Sequence, residues 1–194
     1  MTTIAVVKKD GYAAIAADTM TKWGSGKETA DYIVNHAKIL KVGDSFLGVT
    51  GDATFKTILR DYFSRPRVHA HFATPLEIFK TWQKLHAALK HDYYLLTGAS
   101  DSEEEALESS RIDVLIANPH GIFGVAAHRT VQEFSKFYAF GSGSDYALGA
   151  LYATYGQSRR SAEDIASLAI RAAAEFDDGT GMPVTSYAVK LRHR

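Results

Sequence analysis

The order of apolar segments predicts an α+β fold of four layers, helix-sheet-sheet-helix, with two mostly antiparallel sheets inside. Strand-like segments come first, two helical segments follow, and the same succession recurs before a last strand. Segregated blocks favour packed layers, whereas a parallel sheet needs strands and helices that alternate singly. The 194 residues are 46% hydrophobic and 23% charged and contain no evident repeat or linker. We therefore expect a single domain over residues 1–194.

Turn signals mark the first strands. The β-prone residues 3–7 and 12–17 flank an Asp-Gly pair, which is typical of a hairpin. A second extended pair, residues 33–42 and 45–50, is joined at Gly43-Asp44. The chain is thus predicted to open as a sheet.

Two helices follow, and capping residues mark their starts. Asp52 is placed to cap a helix whose apolar residues recur every 3.6 positions and which ends before Pro66. Thr74, a proline and Glu77 form the pattern of a capping box and open the second helix. Residues 97–110 are rich in acidic side chains, so we expect a solvated loop there.

The second half of the chain repeats this pattern. A helix is expected over residues 145–155, and Ser161 is expected to cap another. The strands of this half are predicted over residues 112–117, 122–127, 134–140 and 184–191.

The composition excludes several classes of function. The 22 basic and 22 acidic residues give a formal net charge of zero, so no overall field attracts nucleic acid or an anionic membrane. Cysteine is absent, which excludes thiolate catalysis and cysteine metal sites. No signal-like segment opens the chain, and no apolar run approaches the roughly 20 residues of a membrane span. We expect a cytoplasmic protein that binds neither nucleic acid nor membranes.

Two motifs resemble ligand sites that the sequence disfavours. Gly141-Ser142-Gly143 precedes a helix, but Tyr146 stands where a dinucleotide-binding loop requires glycine or alanine. His69 and His71 can share one face of a strand and hold a metal, yet no third histidine or nearby carboxylate completes the ligand set. We expect neither a cofactor nor a metal.

A Thr-Thr pair directly after Met1 suggests a nucleophile. Removal of Met1 would give Thr2 a free α-amino group beside its own hydroxyl, with an unperturbed pKa of about 7.7 to 8.0. Such an amine can act as a general base near neutral pH. The small Thr2 side chain suits methionine removal, so we expect Met1 to be removed. If Met1 were retained, the nitrogen would be an amide without a basic lone pair.

Several short motifs resemble those of proteasome β-type subunits and occur in the same order. They are Thr2-Thr3-Ile4, Ala16-Ala17-Asp18, Lys38, Thr50-Gly51, Gly141-Ser142-Gly143-Ser144 and Asp177-Asp178-Gly179-Thr180-Gly181. The resemblance spans the whole chain and is to the N-terminal nucleophile (Ntn) hydrolases, in particular HslV and the betaproteobacterial proteasome homologues. It implies the αββα sandwich of that family and a threonine endopeptidase.

The resemblance implies a role for each matching residue. Thr2 would attack the peptide carbonyl through Oγ and form an acyl-enzyme. Lys38 would hold the Thr2 amine neutral, and Asp18 would keep the lysine charged. Gly51 would donate its backbone N–H to the oxyanion. The residues that would orient the amine and relay its proton are Ser142, Asp177 and Thr180.

Substrate contacts are implied in the same way, with peptide bound as an added strand. The matching positions, besides Gly51, are Met20, Lys22, Val49 and Ala53. The loop before Lys38 is a few residues longer than in HslV. Lys41 and Lys27 therefore remain alternatives for the catalytic lysine.

The resemblance also implies a double-ring homo-oligomer, with Thr2 facing an inner chamber that admits unfolded proteins or peptides. Seven subunits per ring are favoured over six. The resemblance also allows an unidentified ATP-dependent unfoldase as a partner, although the chain, which has no nucleotide motif of its own, gives no sign of it. Two alternatives stay open, a ring subunit with a silent site and a small-molecule amidohydrolase. Silent members tend to lose the threonine, lysine or carboxylate, which this chain retains.

Overall fold

The computed structural model describes residues 1–96 and 107–192, and within them it has eleven strands and four helices. The first half contains β1 (Thr3–Lys9), β2 (Tyr12–Ala17), β3 (Thr21–Trp23), β4 (Gly26–Glu28), β5 (Ile39–Val42), β6 (Ser45–Val49), α1 (Thr54–Ser64) and α2 (Pro75–His91). The second half contains β7 (Val114–Asn118), β8 (Gly121–Val125), β9 (Val131–Phe134), β10 (Phe137–Gly141), α3 (Ser144–Tyr155), α4 (Ala162–Phe176) and β11 (Thr185–Lys190). Most of the acidic segment, residues 97–106, lies outside the described residues.

The described strands form two larger sheets and one small hairpin. The four-stranded sheet has the order β10-β1-β2-β11, and the five-stranded sheet has the order β5-β6-β7-β8-β9. Neighbouring strands run antiparallel in both. The remaining strands, β3 and β4, pair with each other. The predicted α+β class with antiparallel sheets is confirmed.

Apolar clusters between the layers show how the sheets and helices are stacked. One cluster joins α1 and α2 to the five-stranded sheet and includes Leu59 and Ile116. A second, rich in alanine, joins α3 and α4 to the four-stranded sheet and includes Ala16 and Ala169. A third lies between the two sheets, where Ile15 is fully buried. This is the predicted helix-sheet-sheet-helix order.

The predicted caps of α2 and α4 form. The Thr74 side chain accepts the backbone N–H of Glu77, whose carboxylate accepts the N–H of Thr74. Ser161 and Asp164 make the same reciprocal pair at the start of α4. The cap predicted at Asp52 is displaced by one residue, because Ala53 is the N-cap of α1, although the Asp52 carboxylate accepts the N–H of Thr54 at 2.8 Å.

Two strand predictions are wrong in extent. Residues 134–140 were predicted as one strand, but the chain bends at Ser135 and Lys136, so that β9 and β10 belong to different sheets. Of residues 33–42, only Ile39–Val42 form a strand. The sequence of residues 134–140 does not reveal the bend, because the residues on both sides of it are equally β-prone.

Across the described ranges, we find no helix that combines the length and the apolar character required to cross a bilayer.

Candidate active site

Thr2 lies just before β1, where the end of β10 folds over it. The backbone N–H of Ser142 donates to the Thr2 carbonyl oxygen at 2.9 Å. Gly141 has a φ of +107°, and a Cβ there would lie 1.8 Å from the same oxygen. Glycine is therefore required at position 141 for the loop to pass so close to Thr2.

Asp18, at the end of β2, is a fully buried carboxylate that joins separate parts of the chain. Its Oδ1 accepts from Lys38 Nζ at 2.8 Å and from the backbone N–H of Thr3 at 3.0 Å. Its Oδ2 accepts from the backbone N–H groups of Met20 and Gly181, each at 3.1 Å. These four donors fix the carboxylate beside Thr2 and fix Lys38 against it.

Burial opposes the charge on both members of this pair. It raises the pKa of Asp18, and the neighbouring Lys38 ammonium works in the opposite direction. Burial likewise lowers the pKa of Lys38, which the Asp18 carboxylate partly offsets. Lys56, a second cation, also lowers the pKa of Lys38. The result is a lysine that releases its proton more readily than an exposed one.

The contacts of Met1 show where the backbone nitrogen of Thr2 lies. The Met1 carbonyl oxygen accepts from Thr2 Oγ1 at 2.6 Å and from Lys38 Nζ at 3.2 Å. That carbonyl belongs to the peptide group of the Thr2 nitrogen, so the nitrogen, the hydroxyl and the ammonium are clustered. With Met1 attached, the nitrogen is an amide and has no basic lone pair.

A chain of hydroxyl groups links Asp177 to β1. Asp177 follows the last turn of α4 and accepts from Ser142 Oγ at 2.7 Å and from Thr180 Oγ1 at 2.5 Å. The Thr180 hydroxyl is 2.5 Å from Thr3 Oγ1, which accepts the N–H of Gly143 at 3.0 Å. The structure therefore brings Ser142, Asp177 and Thr180 together, as predicted by the resemblance. Thr3 is an additional member.

The hydrogen bonds to Asp177 keep it ionised. Partial burial acts to raise the pKa of this carboxyl, but the hydroxyls of Thr180 and Ser142 outweigh it and hold the pKa below its usual value. The charge of Lys22 also lowers the pKa of Asp177, and Lys22 forms an ion pair with the adjacent residue Asp178. Asp177 therefore supplies a negative charge near the Thr2 end of the sheet.

A cleft of about 190 Å³ opens in front of Thr2. Gly51 contributes to its wall with a φ of +98°, a conformation that favours glycine. The sequence-predicted residues that line it are Thr2, Lys22, Lys38, Val49, Gly51 and Ala53. Met20 instead lines a neighbouring cavity of about 730 Å³, together with Asp177 and Thr180. The predicted substrate residues thus divide between two adjacent cavities.

Comparison with known proteins places this geometry in a family. Protein-family models and curated proteins gave no match. Among solved structures, the Thiobacillus denitrificans BPH in complex with epoxomicin is 57% identical, with a TM-score of 0.92, covering 98% of this chain and 100% of that one. The chain belongs to the family of bacterial proteasome homologues (BPH). A second structure of the T. denitrificans BPH is 58% identical, with a TM-score of 0.92, covering 98% of each chain.

The HslV resemblance is confirmed at the level of the fold. HslV from Trypanosoma brucei is 16% identical, with a TM-score of 0.67, covering 97% of this chain and 99% of that one. The BPH family membership and this likeness together confirm the predicted proteasome- and HslV-like Ntn fold.

In this BPH chain, Lys38 rather than its two alternatives lies beside Asp18. Lys41 is exposed, with its ammonium 5.8 Å from the centre of the Phe46 ring. Lys27 is exposed on β4 and lines the neighbouring cavity. Of the three lysines, the one favoured by the resemblance is therefore the one paired with Asp18.

Two cations that were not predicted from the sequence hold the segment before Lys38. Lys56 Nζ donates to the Asn35 carbonyl at 3.1 Å, and Arg60 Nη2 donates to the Ala37 carbonyl at 2.9 Å. They lie four residues apart on α1, and hence on one face of that helix. That spacing was visible in the sequence, but the carbonyls they bind belong to an irregular segment.

The histidine pair that was considered as a metal site, His69 and His71, lies between α1 and α2. Both histidines line a surface cavity of about 460 Å³ with His120. Within residues 1–96 and 107–192, however, no three histidine, aspartate or glutamate side chains are arranged to hold a metal ion.

Proposed function

We propose that this protein is a threonine endopeptidase of the BPH family, with Oγ of Thr2 as its nucleophile. The observation that carries the proposal is the pair of Lys38 and buried Asp18 around Thr2, at the end of an open cleft. Lys38 donates to the carbonyl of the Met1–Thr2 peptide group, and Asp18 accepts the N–H of Thr3. A BPH that is 57% identical forms a complex with epoxomicin, which supports a ligand-accessible site in this family.

The chemistry begins with the loss of Met1, which leaves a free amine on Thr2. The charge of Lys38 disfavours a second cation beside it, so the amine stays neutral and takes the proton of Thr2 Oγ, directly or through a water. Oγ attacks the peptide carbonyl, and the protonated amine then returns its proton to the departing nitrogen. Water hydrolyses the resulting acyl-enzyme ester by the same route.

Backbone and hydroxyl groups complete the proposed mechanism. The N–H of Gly51 binds the developing oxyanion, and loss of one such donor costs about 10²-fold or more in rate. Asp177, together with Ser142 and Thr180, orients the amine, and the negative charge of Asp177 stabilises the amine when it is protonated. Thr3 extends this hydrogen-bonded set through Thr180.

Substrate is proposed to bind as an extended strand. Among the described strands, β3 pairs with β4 alone, so its other edge is free to add a peptide. Lys22 on β3 lines both cavities, and Val49 and Ala53 line the one at Thr2. Unfolded proteins or peptides fit this mode, because a folded substrate cannot present an extended backbone.

The assembly proposed is a cytoplasmic double ring with seven subunits per ring and the Thr2 cleft facing an inner chamber. An ATP-dependent unfoldase would supply unfolded chains to it. The alternative is a ring subunit with a silent site, and it predicts the same fold and assembly without turnover.

Labelling at Thr2 distinguishes the two. We expect the intact mass to show loss of Met1, and epoxomicin to modify Thr2, because an epoxyketone can react with a hydroxyl and an amine on one residue. Thr2→Ala should abolish both labelling and peptide cleavage. Lys38→Ala should lower kcat/KM by about 10²-fold or more, while Lys41→Ala, the matched control, should leave it unchanged.

A protein that has lost Met1 but neither cleaves peptides nor takes the label is the silent ring subunit. Cleavage that survives in Thr2→Ala would place the nucleophile elsewhere. The intact mass separates a silent site from one that is blocked by a retained Met1.

A further inference from the structure

Gly51 is supported by residues 108–113, which we call the backing segment. The carbonyl oxygen of Asp113 accepts the Thr50 N–H at 3.0 Å and the Thr50 hydroxyl at 3.2 Å. A Cβ at Gly51 would lie 2.9 Å from the carbonyl oxygen of Arg111. The backing segment thus holds Thr50 by two hydrogen bonds and Gly51 by direct contact.

A polar network that is buried at His86, Ser110 and Arg129 holds the backing segment in turn. His86 on α2 has Nδ1 2.9 Å from Ser110 Oγ and Nε2 3.1 Å from a Glu108 carboxylate oxygen. Arg129 Nη1 donates to the Glu108 carbonyl oxygen at 2.7 Å and to Ser110 Oγ at 3.4 Å. Lys90 donates to the Glu108 carboxylate at 2.6 and 2.8 Å. Side chains from α2 and from the turn after β8 therefore converge on two residues of the backing segment.

The network is costly to build and is unused by the proposed chemistry. His86 and Arg129 are both 7% exposed and Ser110 is 1% exposed, and polar groups are rarely buried to this extent without a specific role. Arg111 and Arg129 have φ values of +56° and +67°, a region that costs free energy for residues other than glycine. Among the described residues that line the Thr2 cleft, none belongs to the network.

We propose that His86, Ser110 and Arg129 are positioning residues for the oxyanion-binding N–H of Gly51, acting through the backing segment. This inference rests on the proposed peptidase function and deepens it. An oxyanion donor stabilises the transition state only when it is aimed at the point where charge develops. The backing segment holds Thr50 and lies against Gly51, so it fixes the direction in which the Gly51 N–H points.

The proposal has a kinetic signature. Peptide binding depends mainly on the β3 edge and the cleft, which the network does not touch. Loosening the backing segment therefore weakens transition-state binding more than substrate binding, so kcat falls while KM changes little.

The test compares His86→Leu and Arg129→Met with Asn118→Ala. Asn118 is a matched control, because it is also buried on β7 and donates to the Phe72 carbonyl at 2.8 Å, but at the far end of that strand from the backing segment. For the two network variants we expect kcat about tenfold lower with KM within about twofold. A peptide boronate, whose tetrahedral adduct places an oxygen at the oxyanion position, should bind about tenfold more weakly.

Hydrogen exchange provides a measurement that does not depend on turnover. We expect faster amide exchange at Thr50, whose N–H donates to the Asp113 carbonyl, in the two network variants and unchanged exchange there in Asn118→Ala. Ser110→Ala, which removes one hydroxyl and no charge, serves if the larger changes prevent folding, and it should show the same effects on a smaller scale.

Network variants that are less stable, like the control, but keep wild-type kcat, boronate affinity and amide exchange at Thr50 would overturn the proposal. A wild-type protein that neither cleaves peptide nor binds boronate would refute the peptidase function instead. In that case faster exchange in the variants would still support the backing role, and unchanged exchange would refute it.

Discussion

Asp18 shows at the scale of one residue why a buried ion pair is present at all. Taking two charges out of water costs more than their attraction commonly returns, so the pair is weak support for the fold by itself. Here all the acceptor capacity is used, because two backbone N–H groups bind one oxygen and a third shares the other with Lys38. The pair therefore specifies where the ammonium lies relative to Thr2.

Asp18→Asn should be strongly destabilising. An amide in this position must turn N–H groups toward backbone donors or toward Lys38, and it leaves a buried ammonium without its counter-charge. We expect the free energy of unfolding to fall by about 3 to 5 kcal/mol, measured by urea denaturation at fixed protein concentration. Asp44→Asn, which alters an exposed ion pair with Arg192, is the matched control and should have little effect. Similar losses in both variants would contradict this view of Asp18.

The residues of the candidate site differ in how far sequence could predict them. Thr2, Asp18 and Lys38 sit in motifs whose order resembles a known family, so their proximity was predicted. Thr3 was missed, because its hydroxyl acquires a function only when Thr180, from the far end of the chain, is folded against it. Threonine is common in strands, so its presence in β1 does not indicate whether a distant residue hydrogen-bonds to its hydroxyl in the folded protein.

At the scale of elements, the feature of the fold that is hardest to predict from the sequence is the passage of the chain from one sheet to the other between β9 and β10. Hairpins with Asp-Gly turns and helices with capping boxes are encoded locally, and both were predicted. The change of sheet between β9 and β10 depends on how the two sheets pack, which is a long-range property. The same limit explains why residues before Lys38, held by Arg60 on α1, are not a strand.

Gly141→Ala and Gly149→Ala should have opposite effects. At the end of β10, a methyl group would overlap the Thr2 carbonyl in a backbone conformation that alanine disfavours, so we expect the variant to lose its fold or its Thr2 geometry. In α3, Gly149 has open space around its Cβ position, and alanine should raise the free energy of unfolding by about 0.5 to 1 kcal/mol. Circular dichroism and urea denaturation measure both effects. A folded Gly141→Ala protein with wild-type labelling at Thr2 would contradict the expectation.

At the scale of the molecule, the candidate site collects loops at the ends of strands from both sheets. Thr2 precedes β1 and Asp18 follows β2 of the four-stranded sheet, Gly51 follows a strand of the other sheet, and Asp177 follows α4 in the outer layer. The layers must therefore be in register for the site to form. The positioning role proposed for the network of His86, Ser110 and Arg129 depends on the same packing between layers.

The outer α3–α4 layer carries exposed aromatic side chains that suit a contact between rings. Tyr152 is 84% exposed, Phe176 is 69% exposed, and the Phe176 ring packs against that of Tyr146. Exposed apolar groups clustered on one layer commonly mark an interface. In the proposed double ring, this layer would be covered by the facing ring.

Native mass spectrometry tests this assembly. We expect the wild-type protein to give a double ring of seven subunits each, and Tyr152→Glu to dissociate it toward single rings, because a buried unpaired charge opposes association. Tyr94→Glu is the matched control, since Tyr94 is 83% exposed near the end of α2, in the opposite helical layer, and it should leave the double ring intact. Peptide cleavage by a wild-type species that is chiefly monomeric or dimeric would argue against an enclosed chamber. A sixfold ring would revise the stoichiometry but keep the α3–α4 contact, because a facing layer can pair across either symmetry.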